Sequence, residues 1–231
     1  MKAEVSAMDL LWGRGVRGSR GPRPVLTVGQ IAEAAVEIAD AEGLPAVTMQ
    51  RVAQRFGFTA MSLYRYVPGR AELVALMVDS AMGVAPAVDA AEGWRPALRR
   101  WAGHLRDVFR SHPWVTQATI QARPIGPNEL SWLERAVALL GGSGLAGGER
   151  VDAVMIVTGH VRNQVQAEIG IAADDGVHLA MSLAETLRER AADFPALTEA
   201  AAGGAFGPGD TDGFAFGLEC ILDGLERRMP T

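Results

Sequence analysis

From residue 27 onward, apolar residues recur at the three-to-four spacing that places them on one face of an α-helix. Over Val28–Glu42, Ile31, Ala34, Ala35 and Ile38 share a face. Thr27 supplies an N-cap hydroxyl, and Gly43 predicts a stop in left-handed conformation. Thr48 opens a second helix, Met49–Phe56, with Val52, Ala53 and Phe56 inward, and Gly57 breaks it. Thr59 caps a third, Ala60–Val67, which docks through Leu63 and Val67. Pro68-Gly69 forces a turn, and a fourth helix, about 70–82, carries Leu73, Leu76, Met77 and Ala81 on one side.

The same period continues through Trp94–Arg110, Pro127–Leu140, Glu149–Ile169, Val177–Ala192 and Asp212–Arg228. His112-Pro113-Trp114 reads as a turn, and 141–148 and 203–209 read as loops. No stretch alternates as a strand would, and there is no internal repeat. The prediction is an all-α fold, with a three-helix N-terminal unit over 25–72 and a larger helical domain over 73–231.

Composition narrows this picture. With 231 residues, 48% of them hydrophobic, the chain can build one or two cores. Charges interrupt every apolar run before the roughly 18 residues of a membrane span. Leu10-Leu11-Trp12 is too short for a signal peptide and runs into arginines, so no membrane partner is expected. A single cysteine, Cys220, allows no intramolecular disulfide, and its apolar neighbours predict a small core residue. A cytoplasmic protein is expected. The net charge of -5 hides an asymmetry: nine Lys/Arg face seven Asp/Glu in 1–72, and thirteen face twenty beyond. A weakly basic head on an acidic body suits contact with phosphate through one face.

Residues 1–24, with Arg14, Arg17, Arg20 and Arg23 and prolines at 22 and 24, read as a disordered basic arm. Two readings of it stand: a solvated tail, or an arm reaching a minor groove. Its G-x-G-x-x-G (Gly13, Gly15, Gly18) lacks the strand before and the helix after that a dinucleotide site requires. Gly141-Gly142-Ser143-Gly144-Leu145 lacks the final glycine and the preceding strand of a nucleophile elbow. Four histidines without H-E-x-x-H give no metal site. No catalytic constellation and no cofactor are expected.

The second helix, the turn at Gly57 and the third helix have the spacing of a helix-turn-helix. The second of such a pair must be short enough for the major groove, docking by one stripe while its other face meets DNA. Residues 59–66 satisfy this and contain no acid. A helical scaffold using the motif for protein contact would show an acidic or occluded face there.

The run Thr48–Leu73, with Leu63-Tyr64-Arg65-Tyr66 at its centre, resembles the signature of TetR-family transcriptional regulators. That resemblance implies base-edge or groove contacts for Gln50, Thr59, Ala60, Met61 and Ser62, with Thr48 beside them. It implies phosphate contacts for Tyr64 and Tyr66, either kind for Arg65, and phosphate at the helix N-terminus for Arg70, which stands where lysine is usual. Met61 reads equally as packing against the second helix.

Ser111-His112-Pro113-Trp114, Gly126-Pro127-Asn128 and the closing run 214–226 resemble the tetracycline-repressor type of C-terminal domain. For 73–231 this implies ligand binding and dimerisation. Polar and aromatic residues within otherwise apolar helices are then pocket candidates: Trp101, His104, Trp114, Arg123 and Asn128, and farther on Trp132 and His178. His160, Asn163 and Gln164 share one helical face, which suits either a pocket wall or a polar dimer seam. The implied assembly is a homodimer through Glu149–Ile169 and Asp212–Arg228. It would bind palindromic double-stranded operator DNA with recognition helices roughly 34–36 Å apart, and a small-molecule effector would release it. An activator fits the same residues.

Overall fold

The computed structural model describes residues 6–13, 26–120, 122–172, 176–205 and 212–230. Among the described residues there are twelve α-helices and no strand. In the head, α2 (Val28–Glu42) starts at a capping box: the Thr27 hydroxyl accepts from the Gln30 amide, and Gln30 reaches back to the Thr27 amide. Gly43 ends it with φ 82° and ψ 163°, a positive-φ conformation that glycine favours but not the left-handed helical one. The chain therefore extends into a single 3-10 turn, Leu44–Ala46, before α3 (Met49–Arg55). Val47, Val52, Leu63 and Val67 fill the centre of the head.

α4 spans only Ala60–Leu63. Beyond Leu63 the amides of Arg65 and Tyr66 reach back three residues rather than four, tightening the chain ahead of Pro68. This is shorter than the helical period suggested. α5 (Arg70–Met82) packs along α2 and carries on into the body, so the head and body share one continuous core.

The body comprises α6 (Trp94–Ser111), α7 (Trp114–Ala118), α8 (Pro127–Leu139), α9 (Gly147–Ala172), α10 (Gly176–Glu189), α11 (Pro195–Ala202) and α12 (Gly213–Arg228). α9 contributes Val154, Val157, Val161 and Val165 to the core, and α12 contributes Phe214, Leu218, Leu222 and Leu225. Arginines of α6 pin both: Arg106 and Arg110 hold Glu168, and Arg95 and Arg99 converge on Glu219. Among the described residues, no helix is long and apolar enough to cross a membrane.

Two further expectations change. Within the expected disordered arm, Ala7–Leu11 forms a helix, α1, capped by Ser6 and packed on α5. Leu11 is buried, and Trp12 Nε1 donates to the Ile125 carbonyl at 3.1 Å. The apolar triplet 10–12 gains burial there. Arg14, Arg17, Arg20 and Arg23 lie outside the described residues. Cys220, expected in the core, is exposed. The inward face of α12 runs through 214, 218, 222 and 225, leaving Cys220 and Phe216 on the opposite side.

Candidate nucleic-acid interface and ligand cavity

The head presents a compact outward face. Thr48 accepts from the Arg51 amide at 3.2 Å and Thr59 from the Ser62 amide at 3.3 Å, so both threonines cap the helices they precede. Thr48, Gln50, Thr59, Met61, Tyr64 and Arg65 are exposed, and Ala60, Ser62 and Tyr66 are half-buried. Met61 is 75% exposed, which removes packing against α3 as its role. Tyr66 rests against the core, so only its edge is open.

The four described arginines of the head divide by what they already bind. Arg51 pairs with Glu42 and Arg55 with Glu37, on the α2–α3 side. The hydrogen bond from Arg51 holds the Glu42 carboxyl below its usual range. Arg70 donates from Nε to the Val47 carbonyl at 3.2 Å and from Nη2 to Leu44 at 3.1 Å. It braces the turn before α3 from the start of α5, where the resemblance implies a phosphate contact. Arg65 alone makes no hydrogen bond or ion pair among the described residues, and it sits on the exposed face.

Where α5 enters the body, its buried Asp79 accepts from the Glu129 amide at 3.0 Å, and Asn128 Nδ2 donates to the Asp79 carbonyl at 3.1 Å. Asp79 thus caps α8 from another helix. Burial pushes its carboxyl pKa up, against the pull of the Glu129 and Asn128 backbone amides. Gly126 is required for this approach, because a Cβ there would lie 2.2 Å from Asp79 Oδ1.

Next to this joint is a cavity of about 140 Å³, lined by Met82 of α5 and by residues of α6, α8 and α9. Trp101 and Trp132 meet edge to face in its wall, with centroids 6.1 Å apart. Their indole N–H groups are engaged, Trp101 with the Trp132 carbonyl and Trp132 with those of Met82 and Gly83. A larger open cleft, about 630 Å³, separates head from body. At its edge Asp40 of α2 accepts from Trp114 Nε1 at 2.6 Å and pairs with His112 Nδ1 at 2.8 Å.

The chain matches two family models, "Bacterial regulatory proteins, tetR family" over residues 31–77 and "Tetracyclin repressor-like, C-terminal domain" over 85–229. The protein belongs to the TetR family. Its members are DNA-binding transcriptional regulators rather than enzymes. Among the relatives of this TetR-family chain is the HTH-type transcriptional repressor DrrR1 of Streptomyces coeruleorubidus, 40% identical over 233 aligned residues, covering 95% of this chain and 84% of that one. An HTH-type transcriptional regulator of Saccharopolyspora erythraea is 34% identical over 193 residues, covering 83% and 81%. Among solved structures, the TetR-family protein ActR of Streptomyces coelicolor in complex with (S)-DNPA superposes with TM-score 0.75 at 28% identity, covering 90% of this chain and all of that one. Its complex with actinorhodin gives 0.73, also at 28% identity, with coverage of 89% and 97%.

Within this TetR-family fold the ten pocket candidates separate. Trp101 and Trp132 line the cavity. Arg123 stands behind it, bonded through both terminal nitrogens to Glu129, which does line it. Asn128 serves the Asp79 joint, and Trp114 serves the head–body joint. His104, Asn163 and His178 are exposed and line neither the cavity nor the cleft. His160 and Gln164 turn toward α12: His160 bonds the Phe214 carbonyl at 2.9 Å and stacks on the Phe214 ring, and Gln164 lies against Gly213. That face packs within the protomer, at the helix pair expected to dimerise, rather than lining the cavity. Arg162 and Thr158 are not among the candidates from the sequence. Both line the cavity, and their i, i+4 spacing was the available signal.

Proposed function

We propose that this chain is a homodimeric repressor that leaves a palindromic operator when a small molecule fills the cavity between α6, α8 and α9. The observation that carries the reading is the course of α5: it starts beside the exposed acid-free face and ends, at Met82, in the cavity wall. A ligand that moves α5 therefore moves the DNA-reading face. The repressor DrrR1 and the ligand-bound ActR structures support repression and small-molecule sensing as the pair of activities. For the dimer, Ile156 of α9 and Phe216 of α12 are 55% and 74% exposed, apolar residues on the two helices the resemblance assigns to the interface. Thr48, Gln50, Thr59–Ser62, Tyr64 and Arg65 make the DNA contacts in this reading, in the cytoplasm where operator DNA is found.

The test is a gel shift of the purified protein on DNA upstream of its own gene, across a salt series and with candidate effectors. Binding should weaken as salt rises, with a slope of about 0.9 per phosphate contact, and one compound should release the DNA. Salt-independent binding, or none at any upstream site, would remove the reading.

A further inference from the structure

We propose that the cavity selects a planar aromatic carboxylic acid, with Thr158 and Arg162 of α9 holding the carboxylate. This deepens the effector reading of the cavity and rests on it. The wall offers almost nothing polar. Trp101 and Trp132 have spent their N–H groups on backbone carbonyls, so they present ring carbon only. Leu105, Phe109, Leu133 and Val154 continue that surface. The Thr119 hydroxyl bonds the Val115 carbonyl, and Glu129 is neutralised by Arg123.

Two groups remain. Thr158 and Arg162 line the cavity one turn apart, and neither makes a hydrogen bond or ion pair among the described residues. The Nε of Arg162 is buried without a partner. Two other arginines share that feature, but Arg123 is bonded through its terminal nitrogens, and Arg150 lies away from the cavity. Arginine cannot shed its proton at any accessible pH. The buried Nε of Arg162, with no acceptor beside apolar walls, therefore leaves the cavity a charged donor to satisfy. An anion with two acceptor oxygens completes it, because the guanidinium fork and an adjacent hydroxyl together match a carboxylate.

Size and shape set the rest of the ligand. A cavity near 150 Å³ accommodates about one benzene ring, and the volume here is about 140 Å³. Ile125, Leu130 and Met155 are exposed apolar residues that also line it, so a fused second ring has a surface to lie on.

The test compares naphthalene-2-carboxylate with its neutral carboxamide by calorimetry on the full-length protein. The acid should bind tighter by on the order of tenfold to a hundredfold, the range for a hydrogen-bonded charge. Arg162→Met should erase that gap while keeping the amide affinity and the melting temperature, and Arg162→Lys should restore part of it. Equal binding of acid and amide by the wild type, a gap that survives in Arg162→Met, or binding of neither probe would overturn the proposal. If Arg162→Met does not fold, the wild-type comparison and Arg162→Lys decide. Operator release by the amide as readily as by the acid would leave the cavity as an effector site and remove its charge selection. Loss of operator binding itself would instead strike the regulator reading.

Discussion

Tyr64 and Arg70 sit six positions apart in the same signature, yet their surroundings predict different losses. The Tyr64 side chain is 44% exposed and makes no hydrogen bond among the described residues, so Tyr64→Ala removes nothing the fold uses. Operator affinity should fall, the salt slope should shrink by about 0.9, and the melting temperature should stay. Arg70→Ala removes two bonds from a charged donor to the carbonyls that shape the turn before α3. It should cost about 1 kcal/mol of stability along with operator affinity. Chemical denaturation and fluorescence anisotropy on both variants separate the two effects, and an unchanged denaturation midpoint in Arg70→Ala would refute the bracing role. At this scale the sequence shows which side of a helix a residue takes. It does not show whether a donor is already engaged. Arg51, Arg55, Arg65 and Arg70 look alike in the sequence, and of these four Arg65 alone has no partner among the described residues.

Long elements were legible from their apolar turns and the short α3 and α4 from their threonine caps, whereas α1, α7 and α11 were not. α2 has its predicted bounds, and α6, α8, α9 and α12 fall within a few residues of theirs. α1 and α7 have five residues each and α11 has eight, too few for a period to stand out; their helicity comes from what they pack on. The Asp79 cap is illegible for another reason, since it joins residues 50 apart in sequence. Its role predicts a contrast. Asp79→Ala should lose about 0.5–2 kcal/mol, as for a lost N-cap. Asp79→Asn keeps the acceptor for the Glu129 amide while shedding the buried charge, so it should lose less. Gly126→Ala should destabilise as well, because its Cβ would displace Asp79. Equal losses for Asp79→Asn and Asp79→Ala in urea melts would argue that the carboxylate does more than cap. The α6–α12 contact gives a pH signature. Hydrogen bonds from Arg99 and Arg95 hold Glu219 down at about 2, from an ordinary value of 4.5. A lowered carboxyl pKa adds stability above the ordinary value, and that stability disappears as pH falls toward the lowered one. Glu219→Gln should therefore flatten the acid side of the stability–pH curve: its deficit against wild type is greatest near neutrality, small because the exposed pair is screened, and closes as pH falls toward the lowered value. A curve parallel to wild type between those two pH values would exclude the pair as a source of acid sensitivity.

The whole molecule is a regulator only if cavity and DNA face exchange free energy. Besides α5, Asp40 at the end of α2 ties head to body across the cleft by bonding Trp114 and His112 at the α6–α7 corner. α6 also carries Trp101, Leu105 and Phe109 of the cavity wall, so a shift of α6 on ligand binding acts on Asp40 and hence on α2. Trp114→Phe keeps the buried ring and deletes the N–H, which tests the contact without emptying the core. If the bond differs between the two states of the dimer, its loss lowers the coupling between sites, typically 5–150-fold in affinity for such systems, by several-fold. Linkage makes the expectation stringent. The factor by which a releasing compound weakens operator binding must equal the factor by which operator weakens binding of that compound, and both must shrink together in the variant. Measuring the four affinities closes the thermodynamic square. A coupling factor equal to wild type would leave α5 and its Asp79 joint as the sole carrier. A smaller factor, with operator affinity of the free protein intact, would establish the Asp40 bond as part of the switch rather than of either binding site.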